Sequence, residues 1–173
     1  MNKKTLYLAQ GAIIAALYVV LTLLANALGL ANYAIQVRFS EALTILPYFT
    51  ASAIPGITIG CLISNIITGC AIPDIIFGTL ASLIGAVATY YLRNKTQWLA
   101  PIPPILANTI IVPFVLKYAY GIEPIWLSFI TVGIGEIISC GVLGIILINV
   151  LKKYRNEIFE SNSIVAKAQG ISK

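Results

Sequence analysis

Residues 36–47 read Gln-Val-Arg-Phe-Ser-Glu-Ala-Leu-Thr-Ile-Leu-Pro, and they place Arg38 and Glu41 three positions apart. Long runs of Leu, Ile, Val and Ala flank this stretch on both sides, and Glu136 lies in the middle of the last run. A carboxylate at the centre of a membrane span costs about 2.5–3.5 kcal/mol, so a functional role is the first hypothesis for it. We interpret the two places as halves of one small-molecule site.

The composition indicates an integral membrane protein. Of the 173 residues, 59% are hydrophobic and 10% are charged, whereas soluble domains carry about 25% charged residues. The apolar runs are long enough for helical spans of about 20 residues each, so we expect an all-α membrane bundle. The first run follows Lys3 and Lys4 and is longer than the apolar core of a signal peptide, so we expect a span and not a cleaved leader.

Turn signals divide the apolar sequence into six expected transmembrane helices. We expect the second to be short and kinked at Pro47, the turn before the third to lie at Pro55-Gly56, and the fifth, which carries four prolines, to be the least regular. Residues 1–153 then form one membrane domain, and residues 154–173 form a polar cytoplasmic tail. The spans are expected at residues 7–29, 41–54, 56–70, 74–93, 101–118 and 124–151.

Most of the basic residues fall on one side of the membrane in this six-span arrangement. Only Arg38 and Lys117 fall on the other side. Because Lys and Arg in short loops stay in the cytoplasm, we expect both termini to be cytoplasmic. The net charge of +5 is then explained by loop position and calls for no nucleic-acid partner. The residues on the cytoplasmic side are Lys3, Lys4, Arg93, Lys95, Lys152, Lys153 and Arg155.

The charged candidates outside the last span also have structural explanations. Arg38 and Glu41 could form a loop salt bridge of little energetic weight, with Ser40 as the N-cap of the next helix. Asp74 follows a proline at a helix start, where an acid suits the helix dipole. We therefore keep both explanations open for these residues. The candidate site residues as a whole are Arg38, Glu41, Asn65, Asp74, Asn108 and Glu136.

Several other residues have simpler interpretations. Asn65 and Asn108 could bond across helices, which contributes about 0.6 kcal/mol on average in membranes. Tyr118, Tyr120 and Trp126 are interpreted as interfacial belt residues.

The sequence favours neither an enzyme nor a metal protein. Cys61, Cys70 and Cys140 are isolated and the chain has no His, so we expect no zinc site and no Cys–His nucleophile. We interpret the three cysteines as small packing residues. A phosphate-binding Gly-x-x-x-x-Gly-Lys-Ser/Thr loop is also absent from the sequence, so no ATP site of that type and no cofactor are expected.

Ala12 and Ala16 form a small-xxx-small pair on the first span. Such pairs allow a second helix to approach closely. The second helix could belong to this chain or to another subunit, and the spacing alone does not decide between them.

Several strings of the sequence resemble the QueT family of substrate-binding S components of energy-coupling factor (ECF) transporters. They are Gln36 to Tyr48, Ala53-Ile-Pro-Gly-Ile-Thr-Ile-Gly-Cys61, Asp74-Ile-Ile-Phe-Gly78, Leu99-Ala-Pro-Ile-Pro-Pro104 and Gly135-Glu136. The resemblance implies a six-helix subunit of a bacterial plasma membrane that captures a queuosine precursor from outside. It also implies docking, through Ala12 and Ala16, on a module of one membrane protein and two ATPases.

The implied ligand suits the candidate residues. A 7-deazaguanine presents adjacent ring N–H and amino N–H donors, which one carboxylate can accept as a bidentate, charge-assisted pair. We assign this role to Glu136, with Asn65 and Asn108 available for the remaining ring positions. An aminomethyl substituent would add a cation for Glu41 or Asp74. The alternative is a self-sufficient secondary transporter driven by protons or sodium, in which Glu136 is the coupling site, although we see no paired repeats in the sequence.

Overall fold

The computed structural model describes residues 2–30 and 37–159, and within these ranges the protein is entirely helical. The all-α prediction is therefore confirmed. The elements are α1 (Lys3–Ala27), a 3₁₀ helix (Phe39–Tyr48), α2 (Ala53–Ile67), α3 (Ile72–Leu92), a short 3₁₀ turn (Gln97–Leu99), α4 (Ile102–Tyr120), α5 (Ile125–Glu136), a π-helical segment (Ile137–Leu143), α6 (Gly144–Lys153) and α7 (Arg155–Ile158).

Four helical stretches are long and apolar enough to cross a membrane. They are Lys4–Ala27, Ile72–Leu92, Gln97–Tyr120 and Ile125–Lys153. Many large apolar side chains on these helices are exposed, which suits contact with lipid and not with water. The chain is thus a multi-pass membrane protein. α2 has 15 residues and is shorter than the usual span of about 20, so the crossing of all six predicted spans stays a prediction.

The 3₁₀ helix lies at the centre of the bundle. Each residue from Ser40 to Pro47 is buried, and the helix contacts α1, α2, α3, the π-helical segment and α6. Its ten residues rise about 2 Å each, so it is about 20 Å long and shorter than the apolar thickness of a bilayer. The predicted short second span is therefore a tightly wound element enclosed by the other helices.

Two local predictions around the 3₁₀ helix are wrong. Pro55-Gly56 does not separate two helices, because α2 begins at Ala53 and carries both residues in its first turn. A proline is tolerated there, because an N–H group in the first turn has no hydrogen-bond partner within the helix. Ser40 is not an N-cap, because the 3₁₀ helix begins at Phe39. The hydroxyl of Ser40 instead accepts a hydrogen bond from Thr22 Oγ1 at 2.8 Å.

Glycines bring α1 and α2 into close contact. A Cβ atom on Gly56 would lie 2.7 Å from the backbone oxygen of Gly11, and one on Gly60 would lie 2.7 Å from Tyr18 Cβ. Both distances are too short for any side chain, so these positions require glycine. The close approach places Tyr18 of α1 beside the centre of the bundle, where it is 1% exposed.

The prediction that the fifth span is the least regular is wrong. α4 is continuous over Ile102–Tyr120, because two prolines lie in its first turn and only Pro113 lies in its interior. It ends at Gly121, whose φ of 67° is left-handed and accommodates the terminal turn. The irregular elements are instead the 3₁₀ helix and the π-helical segment.

The last apolar stretch is one helical run that changes its winding. The π-helical segment begins directly after Glu136, and such segments often occur at functional sites. After it, α7 begins within the predicted tail, and Phe159 stacks on Phe49 with 5.0 Å between ring centroids. The first tail residues thus pack on the bundle, and residues 160–173 lie outside the described part of the chain.

Candidate functional site

Glu41 is a buried carboxylate held by side chains from two neighbouring helices. It is 2% exposed and lies in the first turn of the 3₁₀ helix. Tyr18 of α1 donates its hydroxyl proton to Oε1 of Glu41. Asn108 of α4 donates from Nδ2 to Oε2 at 3.4 Å. The predicted salt bridge with Arg38 is not found among the described residues, so that structural explanation of Glu41 is wrong.

Glu136 is the second buried carboxylate, at 8% exposure, and it ends α5. Asn108 Nδ2 donates to its Oε1 at 3.1 Å. Cys140, four residues later, lies with its Sγ 3.2 Å from Oε2. The π-helical segment begins between these two residues, and both are buried.

Asn108 links the two acids. Its amide nitrogen lies within hydrogen-bond distance of both carboxylates, and the two N–H bonds of one amide allow a donation to each. Glu41, Glu136 and Cys140 also present ligand atoms within 4.8 Å of one another, so these three residues could reach a single metal ion. The carboxylate oxygens of Glu41 and Glu136 already accept hydrogen bonds from Tyr18, Asn108 and Cys140. The arrangement therefore suits N–H or O–H donors better than a cation that would displace these bonds.

Two neighbouring spaces share lining residues, and the carboxylates of Glu41 and Glu136 line the inner one. The vestibule has a volume of about 280 Å³ and lies where α2 and α4 end and α3 begins; it is lined by Thr22, Asn26, Arg38, Asn65, Thr68, Gly69, Cys70, Asp74, Val112, Leu116, Tyr120 and Ile122. The inner pocket has a volume of about 20 Å³ and is lined by Arg38, Glu41, Cys61, Gly78, Ser82, Asn108, Val112, Val132 and Glu136. The inner pocket holds about one water molecule, so a ring could enter only if side chains move.

Arg38 lies between the vestibule and the inner pocket. Arg38 and Val112 line both spaces, so their side chains form the boundary between them. Arg38 is anchored through its backbone N–H, which donates to Ser139 Oγ at 3.2 Å. Its guanidinium forms no ion pair with any carboxylate of the described residues. The side chain can therefore move without breaking a salt bridge.

Asp74 and Asn65 line the vestibule and not the inner pocket. Asp74 is 6% exposed and accepts a hydrogen bond on Oδ2 from the Tyr120 hydroxyl at 3.1 Å. Asn65 Nδ2 lies 3.6 Å from Cys61 Sγ. A Cβ atom on Gly78 would lie 3.2 Å from Asp74 Oδ1 and 3.4 Å from Asn65 Nδ2. The absence of a side chain at Gly78 therefore lets both polar groups pack closely against α3.

Some residues contribute to the site in ways that the sequence did not predict. Tyr120 is not simply a belt residue, because it bonds Asp74 and lines the vestibule. Cys61 and Cys140 are buried, as predicted, but both also take part in polar contacts. Tyr18 carried no signal in the sequence, because a tyrosine in an apolar helix is ordinary. Its distance from the charged residues in the chain hid it further.

Ala12 and Ala16 lie away from this site, on an apolar groove. Both are exposed, whereas the α1 residues that pack against α2 include Gly11 and Tyr18. The groove has a volume of about 650 Å³. Packing within the described chain therefore does not explain the alanine pair. The groove is lined by Tyr7, Leu8, Gly11, Ala12, Ala15, Ala16, Val19, Val20, Pro55, Gly56, Ile59 and Ile63.

Comparison with known proteins adds an independent line of evidence. The model of the family described as QueT transporter matches residues 8–153. A protein of Lactococcus lactis subsp. cremoris (strain MG1363), named queuosine precursor transporter QueT, is 38% identical over 83 residues. This match covers 48% of each of the two chains, so the chain spans about half the length of the curated relative it matches. No solved structure matches the chain.

Proposed function

Because the chain belongs to the QueT transporter family, we propose that it is the substrate-binding S component of an ECF-type importer. Its substrate is a queuosine precursor that contains a 7-deazaguanine ring, as the name of the Lactococcus relative suggests. The substrate enters the vestibule from outside the cell and reaches the inner pocket. The chain binds the substrate, and separate ATPases supply the energy.

The buried carboxylate pair supports this proposal most directly. Glu41 and Glu136 share the amide of Asn108 in a site almost closed to water. Two ionised carboxylates so close together in an apolar bundle repel one another and are costly to desolvate. A ligand edge with several N–H donors offsets both costs. The ring N–H and amino group of a 7-deazaguanine form such an edge, and Glu136 accepts both of them.

The site residues divide into three groups under this proposal. Glu136 contacts the donor edge, and Asn108 holds Glu136 and Glu41 in position. Arg38 moves aside to open the inner pocket and then donates to the ring carbonyl, for which its free guanidinium is suited. Asp74 and Asn65 remain in the vestibule, where they contact whatever projects from the ring.

The alanine groove is the docking surface for the rest of the importer in this proposal. Ala12 and Ala16 are exposed on a groove lined by apolar side chains, and their small side chains would let a helix of the membrane coupling subunit approach closely. The complete importer then contains this chain, that subunit and two ATPases in the plasma membrane. Both termini of this chain face the cytoplasm.

A Glu136→Gln substitution tests the proposed recognition. It keeps the side-chain shape but replaces one acceptor oxygen by a donor and removes the charge. Charge-assisted hydrogen bonds contribute about 1.5–3 kcal/mol each, and about 1.4 kcal/mol corresponds to a tenfold change in affinity. We expect calorimetric titration of the purified variant with 7-deazaguanine precursors to show affinity at least tenfold weaker than that of the wild type.

Glu123→Gln is the matched control, because Glu123 is exposed and pairs with Lys117 at 3.1 Å, outside the site. It should bind like the wild type. Normal affinity in folded Glu136→Gln protein would show that another residue accepts the donor edge.

Ion-driven transport is the competing function, because a buried carboxylate pair can also bind a proton or sodium. The two functions differ in what the chain can do alone. Vesicles that contain only this chain should bind the precursor without accumulating it. Accumulation driven by a proton or sodium gradient would favour the secondary transporter.

A further inference from the structure

The π-helical segment contacts the first turn of the 3₁₀ helix through two successive side chains. Ser139 Oγ accepts a hydrogen bond from the backbone N–H of Arg38 at 3.2 Å. Cys140 Sγ lies 3.2 Å from the backbone oxygen of Glu41 and 3.2 Å from Thr44 Oγ1. Both side chains of the π-helical segment are buried, at 1% and 0% exposure. The segment is therefore joined directly to the turn that carries Glu41.

The thiol of Cys140 has one proton and three possible acceptors, each at 3.2 Å. They are the backbone oxygen of Glu41, Thr44 Oγ1 and Oε2 of Glu136. The Glu41 oxygen already accepts a hydrogen bond from Thr44 Oγ1 at 2.6 Å. A carboxylate is a stronger acceptor than a neutral carbonyl or hydroxyl oxygen. The thiol is therefore expected to donate to Glu136.

The two carboxylate oxygens of Glu136 then have one donor each. Asn108 Nδ2 donates to Oε1 at 3.1 Å, and Cys140 is the donor to Oε2 among the described residues. A carboxylate oxygen has two lone pairs, so each oxygen can accept one further hydrogen bond from a ligand. Two donors on different oxygens hold the carboxylate in one orientation and leave lone pairs free on both.

We propose that Cys140 is a positioning residue for substrate binding, which holds the carboxylate of Glu136 in the orientation that receives the donor edge of the 7-deazaguanine ring. This inference rests on the proposed function. A thiol suits this position because it is a small apolar group with a weak S–H donor. It orients the carboxylate and leaves most of the acceptor strength of the carboxylate for the ring.

Two substitutions separate the hydrogen bond of Cys140 from its packing. Cys140→Ala removes the donor, whereas Cys140→Ser keeps one. In calorimetric titration with unsubstituted 7-deazaguanine, we expect affinity about fivefold weaker for Cys140→Ala and within about twofold of the wild type for Cys140→Ser. Both substitutions leave space where the sulfur was. An equal loss of affinity in both would therefore indicate packing alone and contradict the positioning role.

A double-mutant cycle shows whether Cys140 acts through Glu136. The effects of independent residues add, whereas those of residues that act through a shared contact do not. Cys140→Ala should therefore weaken the binding of 7-deazaguanine in the wild-type background and cause no further loss in the Glu136→Gln background. Additive losses would show that the cysteine acts independently of the carboxylate, and the proposal would then be wrong.

The S–H stretching band reports the same hydrogen bond without any ligand. It lies where proteins have almost no other infrared absorption, and its frequency falls as the hydrogen bond of the thiol strengthens. The difference between spectra with and without Cys140→Ala isolates the band of Cys140. Glu136→Gln should shift this band to higher frequency, because an amide oxygen is a weaker acceptor than a carboxylate. An unchanged band would mean that the thiol donates to Glu41 or Thr44, which excludes the proposed role.

Cys61 is the matched control for the infrared measurement. It is also buried, but its contacts are with Asn65 and Ser82 and not with a carboxylate. Its band, isolated with Cys61→Ala, should stay in place in Glu136→Gln protein. A shift of both bands would reveal a general change of structure and remove the support for a specific bond to Cys140.

Failure of this inference is distinguishable from failure of the proposed function. If the wild type binds 7-deazaguanine and Cys140→Ala binds it equally well, the positioning role alone is wrong. If the wild type does not bind 7-deazaguanine, the proposed function fails and the positioning role fails with it.

Discussion

One oxygen of the Glu41 carboxylate depends on a hydroxyl from another helix. Tyr18 is buried, and its ring packs where Gly60 lets α2 approach. The hydroxyl donates to Oε1 of Glu41, so it fixes the side chain that faces Glu136 across Asn108. A residue far away in the sequence thereby controls the geometry of the acid pair.

Replacing Tyr18 by Phe isolates the contribution of that hydroxyl. The ring and its packing against α2 remain, but one oxygen of a buried carboxylate loses its donor, which costs about 1–3 kcal/mol. We expect a lower thermal unfolding midpoint in detergent and weaker precursor binding. Tyr118→Phe is the control, because Tyr118 is 79% exposed. Equal unfolding midpoints for the two variants would contradict the role given to Tyr18.

The sequence identified those site residues that are unusual in a membrane. Glu41, Glu136 and Asn108 could be predicted because ionisable and amide groups in apolar helices are costly and rarely accidental. Their partners could not be predicted, because Tyr18 and Cys140 are common in apolar helices and the sequence does not specify which helices meet. For the same reason Tyr120 was interpreted as an interfacial belt residue, and its hydrogen bond to Asp74 could not be predicted.

At the scale of elements, uniform hydrophobicity concealed how the helices are wound. The number and order of the main helical segments followed from turn signals and prolines. The 3₁₀ helix and the π-helical segment did not, because a change of winding is visible only against a regular polar–apolar period, and the few polar residues of these segments do not set one. The prediction of a turn at Pro55-Gly56 was wrong for a related reason. The same pair of residues occurs both in loops between helices and in the first turn of a helix.

The exposed face of α1 and its interface with α2 should respond differently to larger side chains. Ala12→Leu and Ala16→Leu change exposed positions on the groove, so folding and precursor binding should persist while uptake with the coupling subunit is lost. Gly60→Leu is the contrasting variant, because its side chain would collide with Tyr18 and separate α1 from α2. It should impair both folding and binding. Normal uptake by the alanine variants would rule out this groove as the docking surface.

At the scale of the whole molecule, the proposed entry of the substrate through the vestibule predicts which end of the bundle faces the outside of the cell. It opens beside Gly69 and Tyr120, at the end opposite Lys153. The loop at residues 31–36, including Tyr33, lies outside the described residues. Orientation can therefore be tested through the vestibule itself.

The native cysteines provide that test. Cys70 lines the vestibule and is partly exposed, whereas Cys61 and Cys140 are 2% and 0% exposed. We expect a membrane-impermeant maleimide to label Cys70 on intact cells and bound precursor to slow the reaction. A Cys70→Ser protein that carries Lys153→Cys should be labelled only after permeabilisation. The opposite pattern of labelling would reverse the proposed topology.

The enclosed 3₁₀ helix has a consequence for the synthesis and membrane insertion of the protein. A translocon passes nascent segments into lipid as the ribosome produces them, but Phe39–Tyr48 has no lipid-facing side in the finished bundle. Part of its enclosure comes from the C-terminal run, where Gly144 is so close to Ile45 that a Cβ atom would lie 2.9 Å from Ile45 Cγ2. The segment must therefore wait, incompletely covered, until nearly the whole chain has been synthesised. Glu41 and Glu136 cannot meet before the last long helical run has been made, so we expect the pocket to form late in synthesis.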